Sequence, residues 1–64
     1  MPSEMRFSEF QKFLESHGWR LVRIRSSHHI FSKADARNII IPVHGGKVKP
    51  FYVRQAKQII QEEG

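Results

Sequence analysis

The chain has 64 residues, a formal net charge of +5 and a sequence pI near 10.3. A chain of that length makes one domain, here residues 1–64, with a thin core, since so small a domain buries only about 60% of its unfolded surface. Without cysteine it can hold no disulfide and no thiolate metal site, and its apolar runs fall far short of a membrane span.

Met1-Pro2-Ser3-Glu4 has no basic segment followed by an apolar stretch, so it does not read as a signal peptide. The first predicted element is a helix from about Phe7 to His17. Phe7, Phe10 and Leu14 fall at i, i+3 and i+7, with Phe13 beside them, and form an apolar stripe. Ser8 followed by Gln11 has capping-box spacing, and Gly18 suits the left-handed position just past a helix end. Trp19 to Arg25 then reads as a strand, with Val22 and Ile24 on one face and Leu21, Arg23 and Arg25 on the other. A second strand, His28 to Lys33, puts His29 and Phe31 on one face and His28, Ile30 and Ser32 on the opposite one. Ala34-Asp35-Ala36-Arg37 is a turn. Asn38 to Pro42, with three isoleucines, is a buried β-branched strand. Val43-His44-Gly45-Gly46-Lys47 is a loop. A closing helix runs from about Pro50, favoured at a first helical position, to Glu62, with Tyr52, Val53, Ala56, Ile59 and Ile60 as its apolar stripe.

This order, α-β-β-β-α, predicts an α+β fold: a three-stranded antiparallel sheet with both helices packed on one face and the other face open for binding. Phe10, Leu14, Val22, Phe31, Ile39, Ile41, Val53, Ala56 and Ile60 are the expected core. Trp19 and Tyr52 have the rings to stack on bases, but their positions are more often core.

The charge is segregated. Between Trp19 and Lys57 lie Arg20, Arg23, Arg25, Lys33, Arg37, Lys47, Lys49 and Arg54, and the only acid is Asp35; the other acids sit towards the two ends. A basic middle of this kind favours a phosphate backbone or an acidic protein partner. Arginine is a good phosphate ligand and histidine a good proton carrier. The cluster Arg23-Ile24-Arg25-Ser26-Ser27-His28-His29 therefore points to a polyanion that is held and then cleaved.

The chain resembles the HicA (YcfA-like) mRNA interferase toxins, which have a double-stranded-RNA-binding-domain-like fold. Leu14-Glu15-Ser16-His17-Gly18-Trp19 is similar to that family's helix end and Gly-aromatic turn. Arg23 followed by Ser27-His28-His29-Ile30-Phe31 is similar to its Arg-x-x-Gly-Ser-His signature, Ile41-Pro42-Val43-His44 to its Pro-x-His segment, and Lys49-Pro50 onward to its closing helix. The family usually has glycine where this chain has Ser26; glycine permits a positive φ, so serine there predicts either a relaxed turn or mild strain.

The resemblance implies the toxin of a type II toxin–antitoxin pair: a cytoplasmic, metal-independent endoribonuclease that cleaves mRNA and is silenced by a HicB-like antitoxin, with no cofactor and no membrane association. RNA supplies its own nucleophile, the 2′-hydroxyl. Cleavage then needs a base, an acid for the 5′-leaving oxygen, and cations near the phosphate. His28 is the candidate for proton transfer. From the residues alone it serves equally well as a turn hydrogen-bonder, and the resemblance favours catalysis. Arg23, Arg25, Ser27, Lys47 and Lys49 are the candidate RNA-binding residues. His29, on the parity of Phe31, and His44, in the loop, are secondary candidates. His17 at a helix C-terminus is a favourable dipole partner. Adjacent histidines at 28 and 29 point to opposite faces and do not chelate one ion, so no metal site is expected. Two rivals stand beside this reading: a non-catalytic RNA-binding module of the same fold, and a basic domain that binds an acidic protein.

Overall fold

The computed structural model describes residues 4–63, so the leader reading of Met1-Pro2-Ser3 concerns residues outside it. In chain order the elements are β1 (Met5–Arg6), α1 (Phe7–Ser16), β2 (Arg20–Arg25), β3 (His28–Ser32), β4 (Ile39–Pro42), β5 (Lys47–Val48) and α2 (Pro50–Glu63). Strands β2, β3 and β4 form an antiparallel sheet in that spatial order, and β1 pairs antiparallel with β5 in a separate two-stranded ribbon.

Helix α1 buries Phe10 and Leu14, as its apolar stripe predicts. Its start is not the expected capping box. Arg6 is the N-cap and its side chain makes no capping bond, because the chain enters the helix directly from the β1–β5 ribbon; the Phe7 N–H donates to the Gly46 carbonyl instead, at 2.9 Å. The helix end is built as the sequence indicates. Gly18 has φ +89°, its N–H donates to the Glu15 carbonyl, and the Trp19 N–H donates to the Leu14 carbonyl. These two bonds satisfy carbonyls that the helix would otherwise leave open and form a Schellman closure. They also swing Trp19 onto Leu14, where its ring is fully buried. The indole Nε1 has no partner there among the described residues.

The core joins Phe10 and Leu14 of α1, Trp19, Phe31 of β3, Ile39 and Ile41 of β4, Val48 of β5 and Ala56 of α2. Both helices thus meet the side of the sheet that carries Phe31. On β3 and β4 the alternation is as expected: Phe31 is opposite Ile39, His29 opposite Ile41, and Ile40 points to the other side, 53% exposed. Val53 and Ile60, expected in the core, are only half-buried at its margin, and Trp19 and Val48 fill the space instead.

The parity of β2 departs from the alternation. Leu21 is opposite Phe31, Arg23 opposite Ile30, Ile24 opposite His29 and Arg25 opposite His28, so Val22 is an extra residue. This β-bulge turns Leu21 toward the helices and Val22 away from them; Val22 is 53% exposed rather than buried. Beyond the bulge Ile24 shares the face of His29 but lies at the sheet margin, 56% exposed. Cross-strand partners share a face, so Arg23 and Arg25 lie on the open side with Ile30 and His28.

The expected loop at residues 43–47 is a tight hairpin. His44 and Lys47 exchange backbone hydrogen bonds of 3.1 and 3.0 Å around Gly45 and Gly46, whose φ values are +60° and +74°. Two positive φ angles define a type I′ turn, which glycines adopt without strain. The hairpin delivers β5 to β1 and carries Val48 into the core.

Phe31→Ala should cost about 3–5 kcal/mol, since the site is enclosed by α1, α2 and β4 and cannot readily collapse. Chemical denaturation monitored by Trp19 fluorescence should show a variant partly or wholly unfolded at ambient temperature; an unchanged midpoint would mean that this packing is absent.

Candidate functional site

The site begins at the turn between β2 and β3. Arg25 and His28 are paired across the strands, leaving Ser26 and Ser27 as a two-residue connection. Ser26 has φ +57°, and Ser27 is not in the left-handed region. A positive φ at the first central position is the pattern of a type II′ turn, which favours glycine there. The serine therefore carries mild strain, the second of the two readings its position allows.

The turn is held by its surroundings. The Ser27 carbonyl accepts the Val43 N–H at 2.8 Å, which extends the β3–β4 ladder by one bond. It also lies 3.2 Å from Nδ1 of His29, a contact that only a protonated Nδ1 can donate. The His29 ring is half-buried, tilted against Phe7 at a centroid distance of 4.5 Å. His29 is thus committed to the helix side of the sheet, as its parity with Phe31 predicts.

His28 points the other way. It is exposed, with Arg25 directly opposite on β2 and Pro42 directly opposite on β4. Directly opposed residues have Cβ atoms about 5 Å apart, and diagonal ones are within reach of long side chains. Arg23, one step diagonal, faces Ile30 and lines a shallow groove with Val22, Ile30 and Asn38. The open face therefore carries one imidazole, the guanidinium groups of Arg20 (opposite Ser32), Arg23 and Arg25, and an apolar strip of Val22, Ile30 and Ile40. Among the described residues none of these arginines is in an ion pair; the only one there joins Arg37 to Glu62, at 2.7 Å.

The other candidates are distributed around this face. Ser27 is half-buried and contributes through its carbonyl. His44 is exposed and follows Val43, whose N–H is bonded to the turn. Lys47 is exposed on β5, and Lys49 is exposed immediately before α2, where its carbonyl accepts the N–H groups of Tyr52 and Val53. Lys47 belongs to the ribbon and Lys49 to the link between the ribbon and α2, not to the sheet that carries His28. His17 caps α1, with its ring edge-on to Phe13 at 4.9 Å. Among the described residues no three His, Asp or Glu side chains come together as a metal site. Among the described residues no helix is long and apolar enough to cross a membrane.

Sequence reasoning misses Arg6. It faces outward on β1, opposite Lys47. Two residues of strand are too short for a periodicity signal, so only the Gly45-Gly46 pair, a hairpin signal, points to the ribbon.

A family model described as the HicA toxin of bacterial toxin–antitoxin systems matches residues 7–61. No curated protein matches the chain, and neither does any solved structure.

Ser26→Gly should stabilise the domain. Relief of the left-handed conformation is worth about 1–2 kcal/mol, and the added freedom of glycine in the unfolded chain takes back about 0.5–1 kcal/mol. The expected net gain of about 0.5 kcal/mol raises the melting temperature by a few degrees in a domain this small. A lower melting temperature for Ser26→Gly would contradict the strained turn.

Proposed function

The chain belongs to the HicA toxin family, and from that membership together with the outward His28 we propose that it is a metal-independent endoribonuclease that cleaves mRNA. The three-stranded sheet lies between the two helices in chain order, with the short β1–β5 ribbon added, and this supports the double-stranded-RNA-binding-domain-like reading. The observation that carries the proposal is the shared face of His28, Arg25 and Arg23: a proton carrier beside two cations, all open to solvent and opposite the core.

The reaction uses the substrate's own 2′-hydroxyl. His28 takes its proton as the oxygen attacks the adjacent phosphorus. The bond from phosphorus to the 5′-oxygen breaks, and that oxygen gains a proton from His28 or solvent. The products are a 2′,3′-cyclic phosphate and a free 5′-hydroxyl. Arg25 and Arg23 hold the phosphate and oppose the negative charge that grows on its oxygens. His29 keeps the turn in register through Ser27 and does not meet the substrate.

The same face serves inhibition. Val22 and Ile40 are half-exposed apolar groups among arginines. An apolar centre with a charged rim is the make-up of a protein interface. A HicB-like antitoxin with carboxylates opposite Arg23 and Arg25 covers His28 when it binds there.

His28→Ala should abolish RNA cleavage and growth inhibition while leaving the melting temperature within a degree or two, because the side chain is exposed. Retained cleavage would show that His28 is not the proton-transfer group, and a parent that binds RNA without cutting it would be a binding module. EDTA should not reduce the rate. Arg23→Ala with Arg25→Ala should weaken RNA binding across all sequences and flatten its salt dependence by about 0.7 of slope per lost contact on a single strand; an unchanged slope would place the RNA on another face.

A further inference from the structure

The β1–β5 ribbon carries a row of basic side chains that the His28 face does not use. Lys47 is paired with Arg6 on one side, across the ribbon, and with His44 on the other, across the type I′ hairpin. Paired residues in a sheet project to the same face, and Met5 and Val48, the next pair along, turn the opposite way into the core. Arg6, Lys47 and His44 therefore stand side by side on the outward surface, all three exposed. Neighbouring strands are about 4.8 Å apart, so the row spans about 10 Å. Like charges directly opposite one another destabilise a sheet. Arg6 and Lys47 are in that position, and among the described residues neither is in an ion pair; Glu4 and Glu9 line a groove together with Arg6 but do not pair with it. The arrangement is unfavourable for the free protein and favourable once an anion bridges the cations.

The row is also tied to the His28 end of the sheet. The Phe7 N–H, next in sequence to Arg6, bonds the hairpin at Gly46, and the Phe7 ring packs on His29. The Val43 N–H, next to His44, bonds Ser27. Ribbon and turn thus form one rigid edge.

We propose that Arg6, Lys47 and His44 form a second phosphate-binding site, which holds the backbone of the RNA strand beside the segment placed at His28. The proposal rests on the ribonuclease reading and adds Arg6 to its binding residues. Composition favours a phosphate backbone over a protein at this place. The exposed large apolar groups, Val22, Ile24, Ile40 and Phe51, lie on the sheet and on α2, and none belongs to the row. A protein interface needs such groups at its centre, whereas a polyanion needs only positioned cations.

The test is fluorescence anisotropy with a labelled 2′-O-methyl oligoribonucleotide, which binds but has no 2′-hydroxyl to attack, titrated over about 50–200 mM salt. Arg6→Gln with Lys47→Gln should lower the slope of log affinity against log salt by about 1.4, at about 0.7 per phosphate contact on a single strand. Removal of the opposed charges should leave the melting temperature equal or higher. Should the double variant melt early, each single substitution should still take about 0.7 from the slope. A steep slope in the parent that persists in the variants overturns this site and leaves the ribonuclease reading standing. Variants that keep the RNA slope but lose the antitoxin assign the row to a protein and also overturn it. A parent without salt-dependent binding overturns both.

Discussion

Burial of Phe31 sets the orientation of everything else on the sheet. Its ring is enclosed between α1, α2 and β4, and side chains in a strand alternate faces with a period of two. Once Phe31 points inward, His29 must follow it and His28 must point out. A one-residue slip of β3 would expose Phe31 and bury His28 together. The apolar term, about 3–5 kcal/mol for a buried phenylalanine, is large against the stability of a domain this size. The register that presents His28 is therefore held by packing rather than by any bond that His28 makes.

The bulge at Val22 extends the same logic to the arginines. Leu21 must face Phe31 to complete the core, and strict alternation would then turn Arg23 and Arg25 toward the helices as well. An inserted residue resolves the conflict. Leu21 packs inward, while Arg23 and Arg25 emerge beside Ile30 and His28. The insertion leaves Val22 exposed in the middle of the basic face. The β1–β5 ribbon has a separate role. It replaces the missing side-chain cap of α1, brings Val48 into a small core, and positions a second set of cations at the edge near His28.

Much of this is legible in the sequence because it depends on local rules. The Phe10 and Leu14 spacing, the Gly18 closure, the alternation of His28 to Ser32 and the buried Ile39 and Ile41 are all short-range consequences of residue type, and all are present. The facing of Arg23 and Arg25 also follows from the sequence, but for a different reason. Strict alternation buries the apolar pair Val22 and Ile24, whereas the structure buries the Leu21 side of β2 and reaches the same arginine orientation through a bulge. A bulge leaves no mark on a six-residue strand. The ribbon is illegible for a related reason: it joins two dipeptides about forty residues apart, and neither shows a period by itself. Ser26 is legible as a position wanting glycine, and its left-handed φ is the strained alternative.

The central claim is that His28 moves a proton from the 2′-hydroxyl of RNA on an arginine-lined face. The chemistry of the product ends tests it most directly. Fragments released by the purified protein from a 5′-labelled RNA should end in a 2′,3′-cyclic phosphate and leave a 5′-hydroxyl on the downstream piece. That piece should accept phosphate from polynucleotide kinase without prior dephosphorylation. Downstream fragments that carry a 5′-phosphate would show that water attacked the phosphorus, and the account given for His28 would be wrong.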